Sequence, residues 1–187
     1  MGELDKATAD YRHASEIDPK MASARFSEWL LKAQACYAVK RYVASAGYWA
    51  KALAADPILG NDPRTHHLYN AACAAALAGC GQGKDADKLD GKERAHLRRQ
   101  ALDWVRADLD AWGRRLDQEP DKVRPVLVRQ MRHWLADPDF ASVRGPAALA
   151  RLPEVEREPW QKLWDDVANT LACVQAATMP KKQPGAK

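Results

Sequence analysis

His66 and His67 stand side by side, with Asp62 close upstream. Imidazole and carboxylate groups in one neighbourhood suit metal binding or acid–base catalysis. Adjacent residues on a helix, however, project about 100° apart, so they do not readily share one ion. A polar first helical turn is the simpler reading. Gly79-Cys-Gly-Gln-Gly-Lys84 carries the glycines and the lysine of a phosphate loop. Its spacing is not G-x-x-x-x-G-K-[ST], Asp85 stands where a hydroxyl would hold magnesium, and no strand precedes it. The following Asp85-Ala-Asp-Lys-Leu-Asp-Gly91 lacks the closing Glu of a calcium loop. Residues 79–91 are expected to be a flexible insertion between paired helices.

The cysteines Cys36, Cys73, Cys80 and Cys173 form no C-x-x-C and no zinc-like spacing with His. Three of them, Cys36, Cys73 and Cys173, lie in Ala-rich or apolar text, where a thiol acts as a small hydrophobe. Free thiols fit a reducing, cytoplasmic compartment. No spacing assembles a nucleophile, a base and an orienting group. The expectation is a protein that is not an enzyme, with no catalytic residue, no metal and no cofactor.

Arginines offer a second chemistry. Arg94, Arg98, Arg99, Arg106, Arg114 and Arg115, then Arg124, Arg129 and Arg132, crowd two consecutive helices. A basic face there would suit nucleic acid or an acidic partner, the alternative reading of the chain. Asp103, Asp108, Asp110 and Asp117 interleave with them, several at helical pairing distance, which is the pattern of a solvent-facing salt-bridged surface. The net charge of +4 is also modest for a nucleic-acid binder.

The elements that must position these groups are helices. Ala supplies 35 residues, whereas Val, Ile and Thr together supply 16. Ala favours helix and β-branched residues favour strands, so a sheet protein is excluded. No apolar run is long enough to span a membrane, and the start MGELDKATAD has neither a signal-peptide pattern nor a myristoylation pattern. Apolar residues at spacings of three and four predict helices over 2–18, 22–39, 41–55, 64–78, 92–117, 121–136 and 159–176. Pro125 is expected in a first turn, and 137–158 as mostly connection with a short helical piece at 146–151.

Two segments share a frame. Residues 2–19 and 40–57 both run apolar at the third position, small at the sixth, aromatic at the tenth, Ala at the thirteenth and Pro at the eighteenth. The frame resembles the second helix of a tetratricopeptide repeat. Trp29, Ala33 and Cys36 match the large, small and large positions of its first helix, and Leu68-Tyr-Asn-Ala-Ala-Cys-Ala-Ala resembles the start of the next repeat. The resemblance implies an all-α, TPR-like helical-hairpin solenoid with a C-terminal helical cap. Its parts would be repeats over 1–117, a cap over 118–178 and a disordered tail over 179–187. Within the repeats, 2–19 is a half repeat, 22–57 a full one and 64–117 a degenerate one with the loop 79–91. Because the chain opens on a second helix, the register predicts a partner helix upstream of Met1.

Residues 64–176 further resemble the C-terminal region of bacterial serine/threonine protein kinases that carry such repeats. None of the kinase's catalytic signatures is present. This implies a non-enzymatic scaffold, part of a larger kinase-linked signalling protein, that binds a peptide or partner protein. By the family's register the groove would be lined by Ser27, Leu30, Gln34, Tyr37 and Ala38, then by His66, Tyr69, Cys73, Ala76 and Leu77. That set predicts an apolar, aromatic groove with few charges, suited to hydrophobic anchors and open unless the C-terminal helix caps it. Five of the seven Trp lie beyond residue 100, which predicts a cap with its own core.

Overall fold

The computed structural model describes residues 19–178, with side chains between 26 and 177. The expected helix 2–18 and tail 179–187 lie outside the described residues. Every regular element among the described residues is helical. They are α1 (Pro19–Ala38), α2 (Tyr42–Ala55), two 3-10 turns (Pro57–Gly60 and Pro63–Thr65), α3 (His67–Gly79), α4 (Gly91–Gln118) and α5 (Pro120–Ala136). A 3-10 segment (Pro138–Val143), α6 (Pro146–Leu149) and α7 (Glu154–Thr178) follow. Among the described residues no helix is long and apolar enough to cross a membrane.

Proline starts many of these elements. Pro57, Pro63, Pro120, Pro138 and Pro146 sit at the first or second helical position, where a missing N–H goes unnoticed. Two other prolines depart from expectation. Pro125 lies inside α5, past its first turn, and removes one helical hydrogen bond. Pro159 lies inside α7, which begins at Glu154 instead of near residue 159. Tertiary contacts hold the added turn. Arg98 donates to both carboxylate oxygens of Glu156 at 2.6 and 2.7 Å. Arg106 donates to the Pro159 carbonyl at 2.8 Å. The expected connection 137–158 is thereby mostly helical.

Successive helices pack on one another, α1 on α2, α2 on α3 and α3 on α4. Helices α5 and α7 pack together, and the 138–143 segment lies against α3. Residues 71–79 of α3 are buried all round, mostly as Ala. A helix apolar on every side must be enclosed, and small side chains let its neighbours come close. The late tryptophans do not form a separate core. Trp112, Trp134, Trp160 and Trp164 join one buried cluster with Ala33, Trp49 and the α3 alanines.

Residues 79–91 are tied down where a flexible insertion was expected. The Asp85 carboxylate accepts from the backbone N–H groups of Val43 and Ala44 at 3.2 and 3.0 Å. It thus caps α2, whose own N-cap residue Arg41 makes no side-chain cap. The Lys84 N–H donates to the Lys40 carbonyl at 2.8 Å. Gly83 has φ +103°, and a Cβ there would lie 2.9 Å from that carbonyl, so only glycine fits. Asp90 and Glu93 then form a reciprocal capping box at the start of α4. Removing the long-range cap with Asp85→Ala should lower stability by about 1 kcal/mol in urea denaturation. An unchanged midpoint would contradict this role.

One buried charge site is unpaired. Asp108 on α4 is 1% exposed, and neither carboxylate oxygen has a hydrogen-bond partner among the described residues. Burial pushes its pKa up to about 7. An unfolded Asp titrates near 4, roughly, so the stability linked to Asp108 is complete below that pH and is lost as pH rises to about 7. Asp108→Asn should flatten this part of the pH profile. At pH 8 it should be more stable than the parent chain by on the order of 4 kcal/mol. Equal unfolding midpoints for the two proteins from pH 4 to pH 8 would refute the assignment.

Candidate functional site

Helical spacing brings the site together. On α1, Gln34 and Tyr37 are three apart, and on α3, Tyr69 and Cys73 are four apart, so each pair shares a face. All four line a cavity of about 330 Å³, together with Trp49 of α2 and Asn70 of α3. The remaining wall comes from far downstream: His133 near the end of α5, then Asp137 and Asp139.

Asp137 precedes Pro138 and caps the 3-10 segment, one carboxylate oxygen accepting from the Asp139 N–H at 3.0 Å. The other oxygen accepts from the Tyr69 hydroxyl at 2.5 Å and lies 3.2 Å from His133 Nε2. The Tyr37 hydroxyl donates to Asp139. Tyr69 is in turn stacked on Trp134, with centroids 5.1 Å apart and planes 14° apart. Each acid of the pocket therefore holds a phenol from a different helix.

The electrostatics follow from burial. The Tyr37 phenol is pushed well above its ordinary range, first by burial and then by its bond to Asp139. The Tyr69 phenol moves the same way, first by burial and then by Cys73 and Asp137. Burial, then the nearby Asp139 and Asp137, drive the Cys73 thiol up strongly. A thiol held neutral is a poor nucleophile. Cys73 Sγ and one oxygen from each carboxylate lie within 4.8 Å of one another, so these three residues could hold a metal ion. Loading one would require the thiol to ionise.

The other register-derived groove residues are elsewhere. Ser27 and Ala38 are exposed, and Leu30 is half-buried against the core. Ala76 and Leu77 are buried in the core. His66, in a left-handed conformation with φ 58°, precedes α3 and does not line the cavity. The groove also carries more charge than the apolar surface expected. Its carboxylates lie on an Asp-Pro-Asp that reads as a helix stop, and only folding brings that stop beneath Tyr37 and Tyr69. Asp137 and Asp139, with His133 of α5, form this wall, and the α7 residues Trp160 and Trp164 lie in the core.

The remaining sequence candidates have structural roles. His67 packs against Trp49 with the rings tilted and their centroids 5.6 Å apart, and burial lowers its pKa. Asp62 pairs with Arg64 at 2.6 Å, and that hydrogen bond holds its pKa at about 2, too low for a general base. In the glycine-rich segment, the N–H groups of Cys80, Gly81 and Gln82 already donate to carbonyls of α3. These three backbone N–H groups are therefore not free to form a phosphate loop. On α4 and α5, Arg99 pairs with Asp103, Arg115 with Glu119 and Arg124 with Asp121.

Compared with protein-family models, curated proteins and solved structures, the chain matches none of them.

Tyr69→Phe leaves Asp137 short of one donor and should cost about 1–3 kcal/mol at neutral pH. A raised phenol pKa adds stability that is complete below pH 10, roughly the unfolded value, and is lost as pH rises toward the folded value. The variant should therefore lose stability less steeply above pH 10. Parallel alkaline unfolding curves for the two proteins would sink this account.

Proposed function

We propose that this chain is a non-enzymatic interaction module of tetratricopeptide-like build that binds a segment of a partner protein in the cavity between α1 and α3. The observation that carries this reading is convergence. Gln34, Tyr37, Tyr69 and Cys73, picked out by repeat register, line one cavity. The stacking of α1 on α2, α2 on α3 and α3 on α4 supports the repeat build. The neutral Cys73 thiol speaks against a catalytic role, because an enzyme nucleophile must be activated. The sequence resemblance implies a place in a larger, kinase-linked signalling protein, and the free thiols suit the cytoplasm.

The cavity's chemistry narrows the partner. Asp137 and Asp139 bring two carboxylates beside the rings of Tyr37, Trp49 and Tyr69. A Lys or Arg side chain would pair with the acids and lie against the aromatic faces. The partner segment is thus a basic residue flanked by apolar ones. Panning random displayed peptides on the chain should select one fixed Lys or Arg, with the selection lost in Asp139→Asn. Purely apolar selected peptides, no selected peptides, or the same set with Asp139→Asn would overturn the proposal.

A further inference from the structure

A second and larger cavity, about 630 Å³, opens where the end of α3 meets the start of α4 and residues 141–152. Its size is that of an ordinary small-ligand site. Four arginines line it: Arg94 and Arg98 from α4, and Arg144 and Arg151 on either side of α6. Among the described residues lining it, none is acidic and none is aromatic. Guanidinium groups repel one another, so gathering them in one concavity creates a strong positive potential that an anion relieves.

Arg98 is already committed, to Glu156 and, at 2.6 Å, to the Gly79 carbonyl. The other three differ. Among the described residues, no carboxylate lies within ion-pair distance of Arg94, Arg144 or Arg151. Two of them are held in place by neutral groups. Arg144 donates to the Trp134 carbonyl at 2.9 Å and lies over the Trp164 ring, 5.4 Å from its centroid. Arg94 donates to the Ala86 carbonyl at 3.3 Å, while its buried Nε–H has no acceptor among the described residues. Gly81, at φ +78°, makes room for that guanidinium, since a Cβ would lie 2.7 Å from Arg94 Nη1. The Ser142 hydroxyl and the Cys80 thiol complete the polar wall. Burial pushes that thiol up to about 11, so it adds no negative charge near neutral pH.

We propose that this cavity binds a phosphate dianion, free or esterified to a small aliphatic carrier such as a phosphorylated serine side chain. Planar guanidinium forks match phosphate oxygens in pairs, and three of them suit a tetrahedral dianion. The lack of an aromatic wall removes the stacking that a nucleobase would use. The site is separate from the acidic cavity and does not rest on the function proposed there.

The test is titration of the chain, at low salt, with inorganic phosphate, with N-acetyl-O-phosphoserine amide and with N-acetylserine amide, followed by calorimetry. Saturable binding of one or both phosphates, and none of the unphosphorylated serine, is expected. The tighter of the two phosphates identifies the source. Arg151→Gln, an exposed substitution, and Arg144→Gln should each weaken binding about tenfold or more. Thermal melts check that both variants stay folded. Arg99→Gln removes the same charge from an exposed position on α4 outside this cavity, and should leave affinity unchanged. No saturable phosphate binding by the parent chain, or an equal loss in Arg99→Gln and Arg151→Gln, would overturn the proposal.

Discussion

Helix α3 has almost no exposed surface. From Leu68 to Gly79 only Asn70 is exposed, and most of the rest is alanine. A helix with no polar face can exist only if other elements surround it, because unburied apolar surface would remain in water. Helices α2 and α4 and the 138–143 segment supply that enclosure. Alanine decides how close they come: with a single methyl per residue, neighbouring helices approach until the larger side chains between them touch. Trp49, Trp112 and Trp134 then fill the space that the methyl groups leave, and each is almost fully buried. The unusual pairing of many alanines with many tryptophans is one packing solution, in which close contacts and large fillers alternate.

The same enclosure makes the candidate site. Because α3 is wrapped, its Tyr69 faces the segment that wraps it, and a buried phenol needs an acceptor. Asp137 meets that need while capping its own 3-10 turn. Asp139 does the same for Tyr37 from α1. The acids that give the pocket its charge are thus also the fastenings between distant parts of the chain. These acids already serve stability, so any ligand that recruited a carboxylate would have to compete with a phenol for it.

Charge is sorted over the molecule. One cavity holds Asp137 and Asp139, while the other holds Arg94, Arg98, Arg144 and Arg151. Between them the 138–151 region contributes to both, which a near-neutral overall balance conceals. On the outer faces of α4 and α5, by contrast, several arginines are matched by acids one turn away. The difference between a paired arginine and one directed to a cavity is set by neighbours far away in the chain, and local charge patterning carries no trace of it.

Sequence periodicity located the helices, because a buried face recurs every three to four residues whatever it packs against. The stripes of α1 to α5 and the stop at Asp56-Pro57 were legible for that reason. Gln34, Tyr37, Tyr69 and Cys73 were picked out by the register that the tetratricopeptide resemblance implies, and they line one cavity. Other features had no local signal. The early start of α7 depends on Arg98 reaching Glu156 across fifty-eight positions. The order of the 79–91 segment depends on Asp85 capping a helix forty-one and forty-two residues upstream. His133, Asp137 and Asp139 enter the pocket only because the 138–143 segment after α5 lies against α3. What the sequence determined alone was local: which residues are helical and which face is apolar. Tertiary structure decided which polar groups meet, since hydrogen bonds and ion pairs act over a few ångströms and join residues that only folding brings together.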